Sequence, residues 1–211
     1  MIVIDAFHWI TANPGVFFSA FNRHLLMCAI SLGIALAIAI PLGVLVARSP
    51  RAAFVAVNVA GSLRSIPSLA ILSAAMPFLG IGLLPSVVAL IVLAIPPLLL
   101  NTMIGIREID PALLDAAQGM GMGRRDILWQ IELPLAVPSI LAGVRTSAIQ
   151  VIGGAALASF IGGGGLGDFI NAGIAIMNMP RLLVGALPIA LLAILAELLF
   201  GWLERSFARR R

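Results

Sequence analysis

An all-α bundle of membrane-spanning helices is the fold class this sequence predicts, and three observations predict it. Hydrophobic residues make up 61% of the 211-residue chain and charged residues only 10%, and mean hydropathy is +1.13. A water-soluble domain of this size has no interior able to hold that much apolar surface. The apolar residues fall into about five runs, each near the roughly 20 helical residues that cross a hydrocarbon core. The basic residues are 13 Arg and no Lys, set beside those runs rather than on a soluble stretch. That distribution belongs to membrane topology and argues against nucleic-acid binding.

Residues 1–20 predict an interfacial lead-in, with Phe7, Trp9, Phe17 and Phe18 suited to the membrane–water boundary. They lack a basic n-region and a clean small-residue cleavage site, so the first span is expected to serve as an uncleaved insertion signal. That span covers residues 25–47 and is stopped by Arg48, Pro50 and Arg51. The second covers 52–78 and is interrupted by Arg64 and Pro67. Pro67 removes a backbone hydrogen bond and bends the helix, which leaves one kinked span or two short ones. Spans three to five cover 85–106, 137–161 and 182–203, and a basic tail follows at 206–211.

Charge chooses between five spans and six. Five spans with the N-terminus outside place Arg48, Arg51, Arg107, Arg124, Arg125, Arg205, Arg209, Arg210 and Arg211 inside. Only Arg23 and Arg181 remain outside, with Arg64 and Arg145 within apolar runs. The positive-inside rule therefore predicts an outside N-terminus, a cytoplasmic C-terminus and one bent second span. Small residues at four-residue spacing (Ala35, Ala39 and Gly43 beside Gly33 and Ala37; Gly143 and Ser147 beside Ala142 and Thr146; Gly154 and Ala158) predict close helix contacts. Cys28 is alone and reads as a small buried hydrophobe.

Between the third and fourth spans lies the polar stretch 107–134. Asp110-Pro111 offers an N-cap and a proline at the first helical position. A short helix is expected over 112–120, with Ala116, Ala117 and Met120 as a small apolar face, and a second helix over 124–131. Such a helix suits docking into a groove on another protein; an ordinary cytoplasmic helical hairpin is the alternative. Gly121 fits either a sharp turn or a close backbone contact.

Gly162, Gly163, Gly164 and Gly165 do not form a phosphate loop, because the chain has no Lys to place on a phosphate. A flexible turn on the predicted outer face is expected there. Arg64, Arg145 and Glu197 are ionisable residues in apolar runs and are functional candidates for that reason. Arg145 is expected to reach the cytoplasmic surface, and Glu197 to pair with an Arg near the inner end of its span. His8 and His24 are the only histidines, and no metal-ligand spacing or catalytic set accompanies them.

The stretch 115–134 reads Asp-Ala-Ala, three residues, Gly121, nine residues, then Ile131-Glu-Leu133-Pro134. It resembles the cytoplasmic loop of bacterial ABC-importer permeases, whose pattern is Glu-Ala-Ala, three, Gly, nine, Ile-x-Leu-Pro, with Asp115 in place of the Glu. The segments 65–70, Pro96-Pro97 with Asn101-Thr102, 142–146 and 158–167 are similar to the permeases for glycine betaine, choline and carnitine, over about residues 20–205. The resemblance implies a methionine-importer-type ABC permease fold for a transmembrane permease domain at 21–205.

It further implies that Asp115, Ala116, Ala117, Gly121, Ile131, Leu133 and Pro134 couple the chain to an ATPase. Arg64, Pro67 and Gly162 to Gly165 become candidates for a translocation path or gate. Implied partners are cytoplasmic ABC ATPase subunits, a second permease subunit (identical or homologous), an external solute-binding protein and the lipid of the bacterial inner membrane. ATP and Mg would sit on the ATPase, with no cofactor, metal or catalytic residue in this chain. An aromatic cage for a quaternary ammonium solute is expected on the binding protein, since there is no Tyr here and Trp9, Trp129 and Trp202 fall at edges or in the loop. An amino acid or other small solute is the alternative substrate. A stand-alone secondary transporter or channel, supported only by the broken second span, and a structural membrane subunit are the rival classes.

Overall fold

A computed structural model of the protein describes residues 2–208. Arg209, Arg210 and Arg211, part of the sequence-based charge asymmetry, lie outside the described residues. The helices are α1 (Ile2–Ala12), α2 (Pro14–Ala47), α3 (Pro50–Ser65), α4 (Ser68–Leu79), α5 (Leu83–Arg107), α6 (Pro111–Gly119), α7 (Arg124–Ile127), α8 (Leu133–Leu157), α9 (Gly167–Ala175) and α10 (Met179–Ala208). A π-helical turn, Leu128–Glu132, joins α7 to α8, and a 3₁₀ turn, Ala158–Ile161, follows α8.

Four continuous helical stretches are long and apolar enough to cross a membrane: α2, α5, Arg124–Ile161 and α10. The fifth span is α3 with α4, bent by 93° at Ile66-Pro67. The cause is local: Pro67 forces Ile66 into an extended conformation (φ −78°, ψ 127°) and ends α3. α2 starts at Pro14, well before residue 25, because proline at the first turn is preorganised for helix, and the helix carries Asn22, Arg23 and His24 on its way into the apolar run.

α5 is the central element, packed between α2 on one side and α8 on the other. Small residues make that possible. A Cβ on Gly43 would approach Thr102 Cβ to 2.6 Å, one on Gly105 would approach Ser139 Cβ to 2.7 Å, and one on Gly143 would approach Asn101 Cβ to 2.9 Å. Where helices touch this closely, hydroxyls bond across to carbonyls: Ser31 Oγ donates to Val87 O at 3.3 Å and Ser147 Oγ to Ala94 O at 2.9 Å. In lipid these contacts carry the helix association that apolar burial supplies in water. Of the two small-residue stripes on α2, Ala35, Ala39 and Gly43 are buried, while Gly33 and Ala37 stay exposed. Most of α3, α4 and α10 also presents apolar side chains outward, as spans facing lipid or another subunit do.

Two polar ends result. At one, Arg48 after α2 meets Glu132 before α8, and the stretch α6–α7 projects beyond α5. At the other, the turn before α5 bonds to the end of the fourth span, with Gly82 N–H donating to Ile161 O at 2.9 Å. α1 packs on α10 there. The aromatic lead-in divides: Phe7 and Phe18 are exposed, but Phe17 is buried and Trp9 partly so, both against Phe169 of α9 at centroid distances of 6.5 and 5.2 Å. Trp9 and Phe17 are thus core residues rather than interface anchors, because α9 supplies a ring for them to pack on.

Candidate functional site

The loop at 107–134 is built by capping. Asp110 Oδ1 accepts from Ala112 N–H at 2.9 Å and Pro111 occupies the first turn of α6, so its entry is fixed by side chain and ring together. Its exit is a paired backbone closure around Gly121: Gly121 N–H donates to Gln118 O at 2.9 Å and Met122 N–H to Ala117 O at 3.1 Å. That closure requires the left-handed residue that Gly121 supplies at φ +84°. A Cβ on Gly121 would meet nothing within 4 Å. Within this chain Gly121 therefore serves the turn.

Asp126 Oδ2 then accepts from Gly123 N–H at 3.3 Å and starts α7. The expected second helix does form, but it runs without a break into α8. Leu133 N–H donates to Leu128 O, a π-type bond that widens the turn just before Pro134. Pro134 has no N–H and its ring collides with a regular preceding turn, so the extra residue sits where it is needed.

Asp115, Ala116 and Gly121 are exposed with Met120, and Ile131 and Leu133 are partly buried. Ala117 corrects the expected face: it is 1% exposed and points into the chain, on the side where α6 meets α7. The outward apolar surface is instead Leu113, Ala116 and Met120, with Trp129 exposed further along. The loop is tied to the bundle by Arg48, whose Nη2 donates to Glu132 Oε2 at 2.9 Å.

Arg64 and Pro67 come together at the bend of the second span. There a cavity of about 310 Å³ is lined by both residues with Ser65, Ser68 and, from α8, Gln150. Gln150 carries no signal in the sequence, since one amide in an apolar run does not reveal which neighbour it will face.

Gly162 to Gly165 lie elsewhere, at the end opposite the loop. Gly162, Gly164 and Gly165 have φ of +77°, +76° and +93°, and all four pack closely. A Cβ on Gly162 would approach Ile81 to 2.6 Å, one on Gly164 would approach Arg23 Nε to 2.7 Å, one on Gly165 would approach His24 to 3.3 Å, and one on Gly163 would collide with Ser86. Arg23 Nε donates to Gly163 O at 2.7 Å. The run is therefore a packed, hydrogen-bonded turn. It reaches the bend only indirectly, through α4, whose C-terminal turn leads to Ile81 and Gly82.

Arg145 and Glu197, the other two ionisable candidates within apolar runs, pair across helices. Arg145 on α8 lies 3.4 Å from Glu197 and 3.5 Å from Glu204 on α10. Arg145 thus faces carboxylates in its own bundle, and Glu197 finds its arginine on α8 rather than at the end of its own helix.

Residues 39–209 match the family described as binding-protein-dependent transport system inner membrane component. The sequence is 42% identical over 182 residues to the carnitine transport permease protein OpuCB of Listeria monocytogenes, covering 86% of this chain and 84% of that one. It is 38% identical over 198 residues to the choline transport system permease protein OpuBB of Bacillus subtilis, covering 94% and 91%. With the osmoprotectant import permease protein OsmW of Salmonella typhimurium it shares 35% over 206 residues, covering 95% and 96%. A chain of the inward-facing MetNI methionine ABC transporter has the same fold, with a TM-score of 0.82 at 24% identity over 91% of this chain and 96% of that one.

Proposed function

The chain belongs to the family of binding-protein-dependent transport system inner membrane components, and from that premise we propose that it is the permease subunit of an ABC importer for glycine betaine, choline or carnitine. The observation that carries this reading is the loop. A capped nine-residue helix stands outside the apolar bundle and carries the Asp115 to Pro134 pattern. Its exposed face is apolar and small enough to enter a groove on a cytoplasmic ATPase. The ATPase would hold ATP and Mg; motion of α6 would pass across the Gly121 turn to α7, from there into α8 along one continuous helix, and into α2 through Arg48 and Glu132. The ATPase, a second permease subunit, the external binding protein and a cytoplasmic loop end are parts of the same proposal.

The bend at Pro67 suits the path. The Ile66 and Pro67 backbone leaves helical bonding there, and Arg64, Ser65, Ser68 and Gln150 supply polar contacts around it. Irregular backbone within a membrane is tolerated where it lines a cavity. The glycine run would gate the opposite, outward end. A betaine has no net charge, so a path without an acidic relay is adequate for it when a partner supplies affinity.

Radiolabelled uptake tests this. Cells lacking other osmolyte importers, given this chain and its partners, should accumulate glycine betaine, choline or carnitine with ATP dependence. Accumulation of an amino acid, with all three quaternary ammonium solutes refused, would leave an importer and remove the proposed substrate class.

A further inference from the structure

The largest cavity among those described, about 660 Å³, belongs neither to the loop nor to the bend. It opens at the glycine end, between the N-terminal part of α2, the glycine run, α9 and the first turn of α10. Arg23, Asp168 and Arg181 all line it, and among the described residues none of the three forms an ion pair. Both guanidinium groups are held by neutral partners instead. Arg23 Nε donates to Gly163 O at 2.7 Å, and Arg181 Cζ lies 5.7 Å from the centre of the Trp9 ring. Arg181 Nε is buried with no hydrogen-bond partner.

A guanidinium carries five N–H donors in a planar fork that matches a carboxylate. These contacts use one donor of Arg23 and none of Arg181, so both guanidinium groups line the cavity with donors to spare. The three charges sum to +1, which favours an anionic group between the arginines. Asp168 supplies the opposite sign on α9, and burial pushes its carboxyl up from the ordinary range against the pull of Arg23. Phe169, Ala20 and Ala172 add apolar wall suited to the methyl groups of a bulky, weakly hydrated cation.

We propose that this cavity binds a small zwitterion bearing a carboxylate and a quaternary ammonium group, with Arg23 and Arg181 holding the carboxylate and Asp168 facing the cation. The choice of zwitterion rests on the import role proposed above; the carboxylate site rests on the geometry alone. A cation without a carboxylate, such as choline, leaves both forks empty and adds charge to an already positive site. The cavity therefore discriminates by the carboxylate.

The test is ligand-detected NMR binding to the permease–ATPase complex in lipid nanodiscs, without binding protein, using glycine betaine, choline and acetate. Glycine betaine should bind saturably and be displaced by acetate, with choline at least about tenfold weaker, the loss carried by one charge-assisted hydrogen bond. Arg181→Gln should weaken glycine betaine by about tenfold or more. Asp168→Asn should strengthen acetate while weakening glycine betaine, a pair of opposite changes that misfolding cannot produce. Equal binding of choline, or no saturable binding to a complex that imports once binding protein is added, would overturn the site. So would an Arg181→Gln variant that binds glycine betaine normally but no longer docks the binding protein, since the cavity would then receive an acidic side chain of that partner. Failure of every quaternary ammonium solute in the uptake assay, with acetate still binding here, would remove the proposed substrate and leave the carboxylate site standing.

Discussion

The two ends of this bundle both turn on glycine, for different physical reasons. At the loop end, Gly121 has a left-handed backbone and empty space around it; conformation alone demands glycine there. At the opposite end, the run from Gly162 to Gly167 is hemmed in by Arg23, His24, Ile81, Ser86 and Ala156, so space demands glycine as well. One end is an exposed, capped short helix, the lever of the function proposed above, with few constraints beyond its own caps. The other is a clasp between α2, α5, α8 and α9. Substitutions at the clasp should therefore act on folding, and substitutions at the lever on coupling.

Gly167→Ala should produce the largest loss of stability. Its Cβ would collide with the Ala156 carbonyl oxygen and come within 2.7 Å of Ser159 Oγ. Overpacking of this kind costs about 1–3 kcal/mol, visible as a lower Tm and reduced membrane abundance. Gly119→Ala is the paired control at the lever. A Cβ there meets nothing within 4 Å, and Ala in place of a helical Gly should leave stability unchanged or raise it by up to about 1 kcal/mol, so Tm should not fall. Equal destabilisation by the two would erase the distinction between the ends.

Gly121→Val comes next. A β-branched residue held at φ +84° costs about 1–2 kcal/mol locally. Uptake should fall while membrane abundance holds, because no span is touched; normal uptake at normal abundance would remove Gly121 from the coupling role. Asp110→Ala removes the cap on α6 and should cost about 1 kcal/mol, seen as faster hydrogen exchange over 112–120 and little change in the spans. Arg48→Ala should be the mildest. Its pair with Glu132 is 41% exposed on the arginine side, and exposed pairs contribute about 0–1 kcal/mol, so a large loss of Tm would show that the strut holds the bundle together.

The same contrast separates what could be read in the sequence from what could not. Local chemistry was legible: Asp110-Pro111 starts α6, Gly121 turns the chain, Pro67 breaks the second span, and the five apolar runs match the spans. Orientation was not. Ala116 and Ala117 are equally small, and only the packing of α6 against α7 decides that Ala117 faces inward. Two stripes on α2 were equivalent until α5 chose Ala35, Ala39 and Gly43. Trp9 and Phe17 look like interface aromatics until Phe169, far along the chain, packs on them. The pairing of Arg145 with Glu197 and Glu204, and the gathering of Arg23, Asp168 and Arg181, likewise depend on contacts between distant segments.

Site-directed crosslinking tests the central claim, that the loop end is where the ATPase engages. A photo-crosslinkable residue at Met120, 76% exposed at the C-terminal end of α6, is compared with one at Met177, 96% exposed just before α10 at the opposite end. In a complex shown to be competent for uptake, position 120 should crosslink to the ATPase with a yield that changes on ATP binding, and position 177 should give no ATPase adduct. An ATPase adduct from position 177, or none from position 120 while uptake is intact, would contradict the account.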